Sequence, residues 1–304
     1  MNKHYRSLDE CLRELFGCKV MKAALSLGTT CPNRDGRCGT GGCIFCAEGS
    51  ATFASAPEMT VKEQLDSAIA RLSGKLPYDR RVKYVAYFQS YTSTYLPAEK
   101  LRSALDAAVS DKRVAALSVA TRPDCLPDDV MQVLAEAGKK KPAFVELGLQ
   151  TIHEDTAELI NRGYPLSCYD DAVKRLKDNG LMPVAHLIIG LPGEDKEKLI
   201  RTVRHVAEGG VQGVKLQLLH VLRGTPLEKE FVSGRYEPLG LEEYTDLLFT
   251  AIRSLPENIV IHRITGDGDK KLLVAPLWSA DKKRVLNYIN RRMEEENLRQ
   301  GGDL

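Results

Sequence analysis

Short apolar runs alternate with segments of helical periodicity along most of the chain, and this alternation most constrains the fold. Each predicted strand is almost continuously apolar, which is typical of a parallel strand covered on both faces. Thr60 precedes one periodic segment as an N-cap, Pro97 begins another, and Gly138 ends a third. The predicted strands are 21–28, 82–90, 114–121, 143–150, 182–190 and 213–221, and the predicted helices are 60–72, 97–109, 126–138, 154–161, 168–179, 195–208 and 241–254.

Six successive β/α units predict an α/β fold, a partial parallel (β/α)6 TIM-like barrel with a small C-terminal extension. We divide the chain into an N-terminal segment (1–20), the barrel core (21–256) and the extension (257–304), which ends in a basic helix. In such folds the chemistry lies in the loops after the C-terminal ends of the strands. The first of these loops follows strand 21–28.

That first loop contains four of the eight cysteines: Cys31, Cys38, Cys43 and Cys46. The N-terminus is charged throughout, so we predict no signal peptide, and no apolar run reaches the ~18 residues that a membrane span needs. We therefore expect a cytoplasmic protein without membrane contact. In a reducing compartment, clustered cysteines are more often metal ligands or catalytic thiols than structural disulfides.

The spacing of the four cysteines, C-x6-C-x4-C-x2-C, favours an iron–sulfur cluster. A structural zinc site usually has two close pairs of ligands, and only Cys43 and Cys46 form such a pair. Iron–sulfur clusters are held by thiolates at varied spacings. If only three thiolates bind, one iron keeps an open coordination position. A zinc-binding nucleic-acid module and a thiol redox pair are the alternatives.

The stretch Cys31…Cys43-Ile44-Phe45-Cys46 resembles the cluster loop of radical S-adenosylmethionine (SAM) enzymes. In that superfamily three cysteines bind a [4Fe–4S] cluster and SAM chelates the fourth iron. Eleven residues separate the first two cysteines of this stretch, Cys31 and Cys43, as in the long-loop branch related to the Elp3 catalytic domain. The resemblance implies that Cys31, Cys43 and Cys46 bind the cluster, that Phe45 packs near the adenine, and that Cys38 is not a ligand.

Four further stretches resemble motifs of that superfamily: FQSYTS (88–93), VATRPD (119–124), VELGLQTIHEDTAELINRGY (145–164) and HLIIGLPGED (186–195). The resemblance implies that 88–93 holds the methionine amino group, that Gln150 bonds the ribose, and that Arg162 pairs with the methionine carboxylate. The implied SAM-binding residues are Phe45, Gln89, Ser90, Tyr91, Thr92, Gln150, Arg162, His186, Ile188, Gly190 and Gln217. An ordinary core role is the alternative for His186, and strand alternation argues against both Gln217 and His220 facing the barrel interior.

The segments TTCPNRDG, TRPDCLP and HRITGDGDKKLLVAPLW (262–278) together resemble the YtqA/YhcC-type (MnmL-type) bacterial family. This resemblance implies an enzyme that generates a 5′-deoxyadenosyl radical and converts carboxymethylaminomethyl-uridine to aminomethyl-uridine at the wobble position of tRNA. It also implies an electron donor of the flavodoxin or ferredoxin type and a downstream tRNA methyltransferase. A radical SAM enzyme acting on a tetrapyrrole or a protein is the alternative.

A net charge of +2 does not by itself indicate a nucleic-acid partner. The distribution of charge is more informative, because basic residues are concentrated near the C-terminus. They are Lys270, Lys271, Lys282, Lys283, Arg284, Arg291, Arg292 and Arg299. These residues predict contacts with tRNA phosphates, with a solvated helix face as the alternative.

Overall fold

The computed structural model describes residues 4–47, 58–74, 81–266 and 268–304. Seven parallel strands form one sheet in the order β1-β2-β3-β4-β5-β6-β8, and β7 pairs antiparallel with β9. The strands are β1 Lys19–Leu25, β2 Val82–Phe88, β3 Val114–Thr121, β4 Ala143–Gln150, β5 Met182–Ile189, β6 Gly213–Leu218, β7 Val221–Leu222, β8 Val260–Arg263 and β9 Leu273–Ala275. The sheet is curled into a half-barrel, so the predicted fold class is confirmed.

Helices connect the strands and pack their apolar faces on the outside of the sheet, where they form the large outer core with the strands. They are α1 Leu8–Phe16, α2 Val61–Ser73, α3 Ala98–Ser110, α4 Asp128–Lys140, α5 Glu154–Leu159, α6 Leu166–Asp178, α7 Lys196–Glu208, α8 Pro226–Val232, α9 Leu241–Arg253 and α10 Lys282–Glu295. As predicted, Thr60 caps α2, and it does so in a reciprocal capping box with Glu63. Among the described helices, none has both the length and the apolar character needed to cross a membrane.

The main sheet has seven strands, whereas the sequence pattern predicted six. The seventh strand of this sheet is β8, in the stretch 257–304, and it pairs in parallel with β6 through Gly213↔Val260 and Val214↔Ile261. Helix α9 supplies the crossover that a parallel neighbour requires. The pairing of this short strand depends on contacts distant in sequence.

Helix α1 closes the bottom of the half-barrel, at the N-terminal ends of the strands. Ser7 and Glu10 form a capping box at its start, and Gly17 ends it with φ +65°. The helix contacts both edge strands, β1 and β8, and Ser7 bridges to Ile261. Its buried Leu8 and Leu12 pack on an apolar layer of inward-facing side chains from the strands: Val20, Val85, Ala116, Phe144, Val184 and Val260.

Side chains inside the half-barrel form layers, because residues two apart on a strand face the same side. Along β4, Phe144 lies in the bottom apolar layer, Glu146 lies one step higher, and Gly148 and Gln150 line a cavity at the top. The step above the apolar layer is polar on nearly every strand. We call this set the charged layer: Lys22, Tyr87, Ser118, Glu146, His186 and Lys215.

Candidate active site

A cavity of about 340 Å³ opens at the C-terminal end of the half-barrel. This volume lies within the range of small-molecule sites. Its lining contains all three predicted cluster ligands and nine of the eleven predicted SAM-binding residues. They are Cys31, Cys43, Cys46, Phe45, Gln89, Ser90, Tyr91, Thr92, Gln150, Arg162, His186 and Gln217. The fold therefore brings together residues that are up to 186 positions apart in the chain.

Ile188 and Gly190 do not belong to this lining. Ile188 is buried in a small apolar cluster against which Phe45 also packs. Gly190 has φ +91°, and a Cβ there would come within 2.9 Å of Leu239, so this turn requires glycine. The predicted contact of these two residues with SAM stays a prediction.

The cysteine loop is held against the rest of the barrel by backbone and amide hydrogen bonds. The Ile44 amide donates to the Ile160 carbonyl at 3.1 Å, and the Leu227 amide donates to the Ile44 carbonyl at 2.9 Å. Asn161 Nδ2 donates to the Gly42 carbonyl at 2.8 Å. These contacts fix the second half of the loop, including the segment between Cys43 and Cys46.

Two of the three cysteines have nitrogen donors beside their sulfur atoms. Arg122 Nη1 lies 4.0 Å from Cys31 Sγ, and Asn33 Nδ2 lies 3.9 Å from Cys43 Sγ. Burial raises the pKa of Cys43 to about 12, with Cys46 adding to the effect. A thiol with so high a pKa becomes a thiolate only with compensating positive charge, such as a bound metal centre supplies. Donors beside ligating sulfur atoms are the outer shell that tunes such a centre.

Cys38 lies apart from the other three cysteines of the loop. It is exposed and lines a neighbouring cavity of about 720 Å³, together with Cys125 and Cys168. Its Sγ is 3.9 Å from Asp124 Oδ2. Over the described residues, no three His, Cys, Asp or Glu side chains are arranged to hold one metal ion.

The polar lining of the cavity includes a side-chain atom that lacks a hydrogen-bond partner. Gln150 Oε1 is buried without one, and Gln150 itself has φ +70°. Tyr91, which also lines the cavity, has a positive φ of +51°. Non-glycine residues in this region are strained, and such residues cluster at functional sites. A ligand donor, such as a ribose hydroxyl, would satisfy Gln150 Oε1.

Arg162 lies in the cavity wall, but its guanidinium already bonds to the protein. Nε donates to the Tyr164 carbonyl at 3.1 Å, and Nη1 donates to the carbonyls of Leu149 and Thr151. Nη2 forms an ion pair with Glu154 at 3.0 Å, and the side chain is only 1% exposed. In this structure the contacts of Arg162 order the turn after α5. Its predicted pairing with the methionine carboxylate stays a prediction.

Three other residues of the cavity wall, Arg34, Arg122 and Tyr164, were not predicted as site residues from the sequence. Arg122 and Arg162 both stack on the Tyr164 ring, at 4.9 and 4.7 Å from its centroid. Arg34 stacks on Tyr91 at 5.5 Å and donates to the Cys46 carbonyl at 3.0 Å. Both arginines stand in stretches quoted above, PNRDG and TRPD. Their proximity to the three cysteines marks them as site residues, and only the tertiary structure shows that proximity.

The charged layer forms the floor of the cavity, where Glu146 and His186 reach the lining. Burial alone would raise the pKa of Glu146, but Lys215, Lys22 and His186 hold it well below its ordinary value. Burial lowers the pKa of Lys215 to about 7, against the opposing effect of Glu146. Burial, with Lys215 nearby, lowers the pKa of His186 to about 4. His186 is therefore neutral near pH 7, and its Nε2–H donates to the ionised Glu146 carboxylate at 3.0 Å.

Comparison with known protein families assigns most of the chain. Residues 26–206 match the model of the radical SAM superfamily, and residues 211–295 match the radical SAM C-terminal domain. The chain belongs to the radical SAM superfamily. The superfamily is enzymatic and uses a [4Fe–4S] cluster and SAM, so the predicted class of enzyme and both predicted cofactors are confirmed.

Two relatives of this radical SAM protein are similar to it in sequence over nearly its whole length. The uncharacterized protein YtqA of Bacillus subtilis is 43% identical over 98% of this chain and 92% of its own, and protein YhcC of Escherichia coli is 37% identical over 94% and 91%. The predicted resemblance to the YtqA/YhcC type is thereby confirmed. A tRNA uridine(34) acetyltransferase of Methanocaldococcus jannaschii is 30% identical over 62% of this chain but only 35% of its own.

Among solved structures, Elp3 of Methanocaldococcus infernus has the same fold, with a TM-score of 0.70 and 22% identity. The match covers 92% of this radical SAM chain and 64% of the Elp3 chain. The residues that line the cavity are of the chemical types that would bind the two cofactors. Three thiols would hold a cluster with one open iron, and the orphaned Gln150 Oε1 and the polar 89–92 loop would face SAM.

Proposed function

We propose that the protein modifies the wobble uridine of tRNA, converting carboxymethylaminomethyl-uridine to aminomethyl-uridine. The observation that carries this proposal is the single cavity that contains Cys31, Cys43 and Cys46 above a charged floor. The relative named tRNA uridine(34) acetyltransferase, which is 30% identical over 62% of this chain, supports the choice of wobble uridine.

In this proposal, Cys31, Cys43 and Cys46 hold the cluster and leave one iron for SAM. Bound together, the two cofactors supply a radical that removes hydrogen from an unactivated carbon. The residues of this chain bind and orient the cofactors and the substrate, and they exclude water. Gln150 and the 89–92 loop position SAM, the stacked pair Arg34–Tyr91 covers one side, and α1 closes the bottom of the barrel against solvent.

Enzymes that act on a base need it out of its stack, in a pocket lined by aromatic and polar groups. The cavity here is open at the top and carries Phe45, Tyr91 and Tyr164 in its lining. Aromatic faces of this kind stack unpaired bases of single-stranded RNA loops, such as an anticodon loop. A tRNA substrate is consistent with this lining.

The N-terminal end of α10 is proposed as a phosphate contact. Lys282, Lys283 and Arg284 are all exposed there. Cations at a helix N-terminus oppose the helix dipole, so intrahelical electrostatics do not favour them. Further along the helix, Arg292 pairs with Glu296 and Asp246 and has a structural role. The basic residues at the start of α10 are therefore the part of the tail proposed to meet tRNA.

The test is mass spectrometry of tRNA nucleosides from a strain lacking the gene, complemented with the wild-type chain or with Cys43→Ala. We expect carboxymethylaminomethyl-uridine to accumulate in the deletion strain and with Cys43→Ala, and aminomethyl-uridine or its methylated product to return with the wild type. Unchanged wobble nucleosides would contradict the proposal and favour a tetrapyrrole or protein substrate. Omitting a flavodoxin- or ferredoxin-type donor in vitro should abolish the conversion.

A further inference from the structure

The neighbouring cavity of about 720 Å³ shares a wall with the cavity that contains Cys31, Cys43 and Cys46, which we call the cluster cavity. After β1, Cys31 lines the cluster cavity and the next residue, Pro32, lines the neighbouring cavity. After β3, Arg122 lines the cluster cavity, and Asp124, its ion-pair partner at 2.7 Å, lines the neighbouring cavity. A polymeric ligand with one unit in the cluster cavity would therefore have its next unit beside the neighbouring cavity.

The long cysteine loop presents an arginine to each of these cavities, and each arginine stacks on a tyrosine of the loop between β2 and α3. Arg34 lies 5.5 Å from the centre of the Tyr91 ring, and both line the cluster cavity. Arg37 lies 5.6 Å from the centre of the Tyr95 ring, and both line the neighbouring cavity. Arg37 is exposed and Tyr95 is partly exposed. Aromatic rings and guanidinium planes are the surfaces on which unpaired RNA bases stack.

The rest of the lining of the neighbouring cavity suits a neutral planar group better than an anion. Among the described residues, three aspartates and two arginines line it, and one of these arginines, Arg175, already pairs with Asp128 and Asp171. Carboxylates repel phosphate groups but accept hydrogen bonds from the N–H groups of bases. Much of the remaining lining is apolar: Pro32, Leu96, Pro97, Leu126, Pro127 and Val130. The lining therefore favours a nucleobase over the phosphate backbone.

We propose that the neighbouring cavity binds the base of a nucleotide that flanks the wobble uridine, stacked on Tyr95 and Arg37, while the wobble base occupies the cluster cavity. This inference rests on the proposed function, because it takes the single-stranded part of an anticodon loop as the ligand. Stacking tolerates any base, since every base has a π face. The neighbouring cavity thus fixes the position of the loop without restricting which anticodon is accepted.

The experiment measures equilibrium binding of synthetic anticodon stem-loops to cluster-loaded protein under anaerobic conditions, without reductant. Three loops with carboxymethylaminomethyl-uridine at the wobble position are compared: the complete loop, a loop that lacks the base on the 5′ side of the wobble nucleotide, and a loop that lacks the base on its 3′ side. The wild type should bind one of the two abasic loops about five- to 150-fold more weakly than the complete loop, which is the range for stacking of one base on an aromatic side chain.

Tyr95→Ala should weaken binding of the complete loop by a similar factor. The same variant should bind that abasic loop as the wild type does, because the base and the ring form one contact and either change removes it. Tyr95→Phe keeps the ring and should retain the affinity. Tyr5→Ala is the matched control, because Tyr5 is also partly exposed but precedes α1 at the opposite end of the barrel.

Two results would overturn the inference and leave the proposed function standing. One is a wild type that binds both abasic loops as tightly as the complete loop, a result that does not depend on the folding of any variant. The other is a Tyr95→Ala protein that binds the complete loop with unchanged affinity. A wild type that binds none of the three loops would overturn both the inference and the proposed function.

Discussion

The Arg122 guanidinium lies between Cys31 and Asp124. Its Nη1 is 4.0 Å from Cys31 Sγ, while Nε and Nη2 donate to the two Asp124 oxygens at 2.9 and 2.7 Å. Nη1 also donates to the Arg162 carbonyl at 2.9 Å. The arginine is therefore held in place from two sides while it presents a positive charge to one predicted cluster ligand.

Arg122→Gln should make the reduction potential of the cluster more negative. The substitution removes a cation beside a thiolate, and hydrogen bonds and local charge set the potentials of iron–sulfur clusters. Loss of a contact worth about 1.4 kcal/mol corresponds to roughly 60 mV in a one-electron couple. Redox titration followed by electron paramagnetic resonance measures the shift. Arg122→Lys, which keeps the charge, should shift less, and equal shifts in both variants would contradict the electrostatic role.

Cys31→Ala, Cys43→Ala and Cys46→Ala should each lose most of the bound iron, whereas Cys38→Ala should retain it. Three thiolates are the minimum for the cluster, and Cys38 lies in the neighbouring cavity instead. Iron and sulfide analysis and absorbance near 400 nm measure loading, with about four irons per chain expected for the wild type. Iron loss in Cys38→Ala comparable to that of the other three variants would show that the ligand assignment is wrong.

His186 should make the folded state less stable as the pH falls. Its pKa is lowered from 6.5 to about 4, so between these values the unfolded chain binds a proton that the folded chain does not. The free energy of unfolding should decrease from pH 6.5 toward pH 4, by at most about 3 kcal/mol from this residue. Denaturant titration at several pH values measures it.

His186→Gln supplies the comparison for that titration. Glutamine retains a hydrogen bond to Glu146 but does not titrate, so the difference between the two proteins should shrink at acidic pH. His262 also has a pKa well below its ordinary value because of burial, and it contributes the same trend in both proteins. A difference that does not change with pH would exclude the assigned role of His186.

Replacing Lys282, Lys283 and Arg284 together with Ala should weaken tRNA binding and flatten its salt dependence. Each cation that contacts a phosphate contributes about one unit to the slope of log K against log salt, so the slope should fall by roughly 2 to 3. Filter binding or fluorescence anisotropy at several salt concentrations measures it.

The matched control for this triple variant removes three exposed or surface-paired lysines at the opposite end of the barrel: Lys112, Lys139 and Lys140. They stand just before β3 and β4, on the side that α1 closes, and should leave the slope unchanged. If both triple variants lower the slope equally, binding depends on overall charge, and the basic start of α10 is not a specific contact.

The sequence alone determined most of the helices and strands and the class of chemistry. Strands such as Val114–Thr121 and Ala143–Gln150 were predicted at their observed bounds, because an apolar run between a turn and a helix start is a local property. The cysteine spacing with Phe45 is equally local, and it was sufficient to predict the superfamily and its cofactors. The N-terminal helix α1 was not predicted, although its capping box is readable in the sequence.

Only the tertiary structure decided which distant residues meet. The seventh strand, the separation of Cys38 from the other cysteines and the commitment of Arg162 to backbone carbonyls all depend on packing between remote segments. The same holds for Glu146, whose two lysines are 124 and 69 positions away. Local periodicity fixes the face of a strand on which a charge lies, but the curvature of the sheet fixes which charge lies opposite.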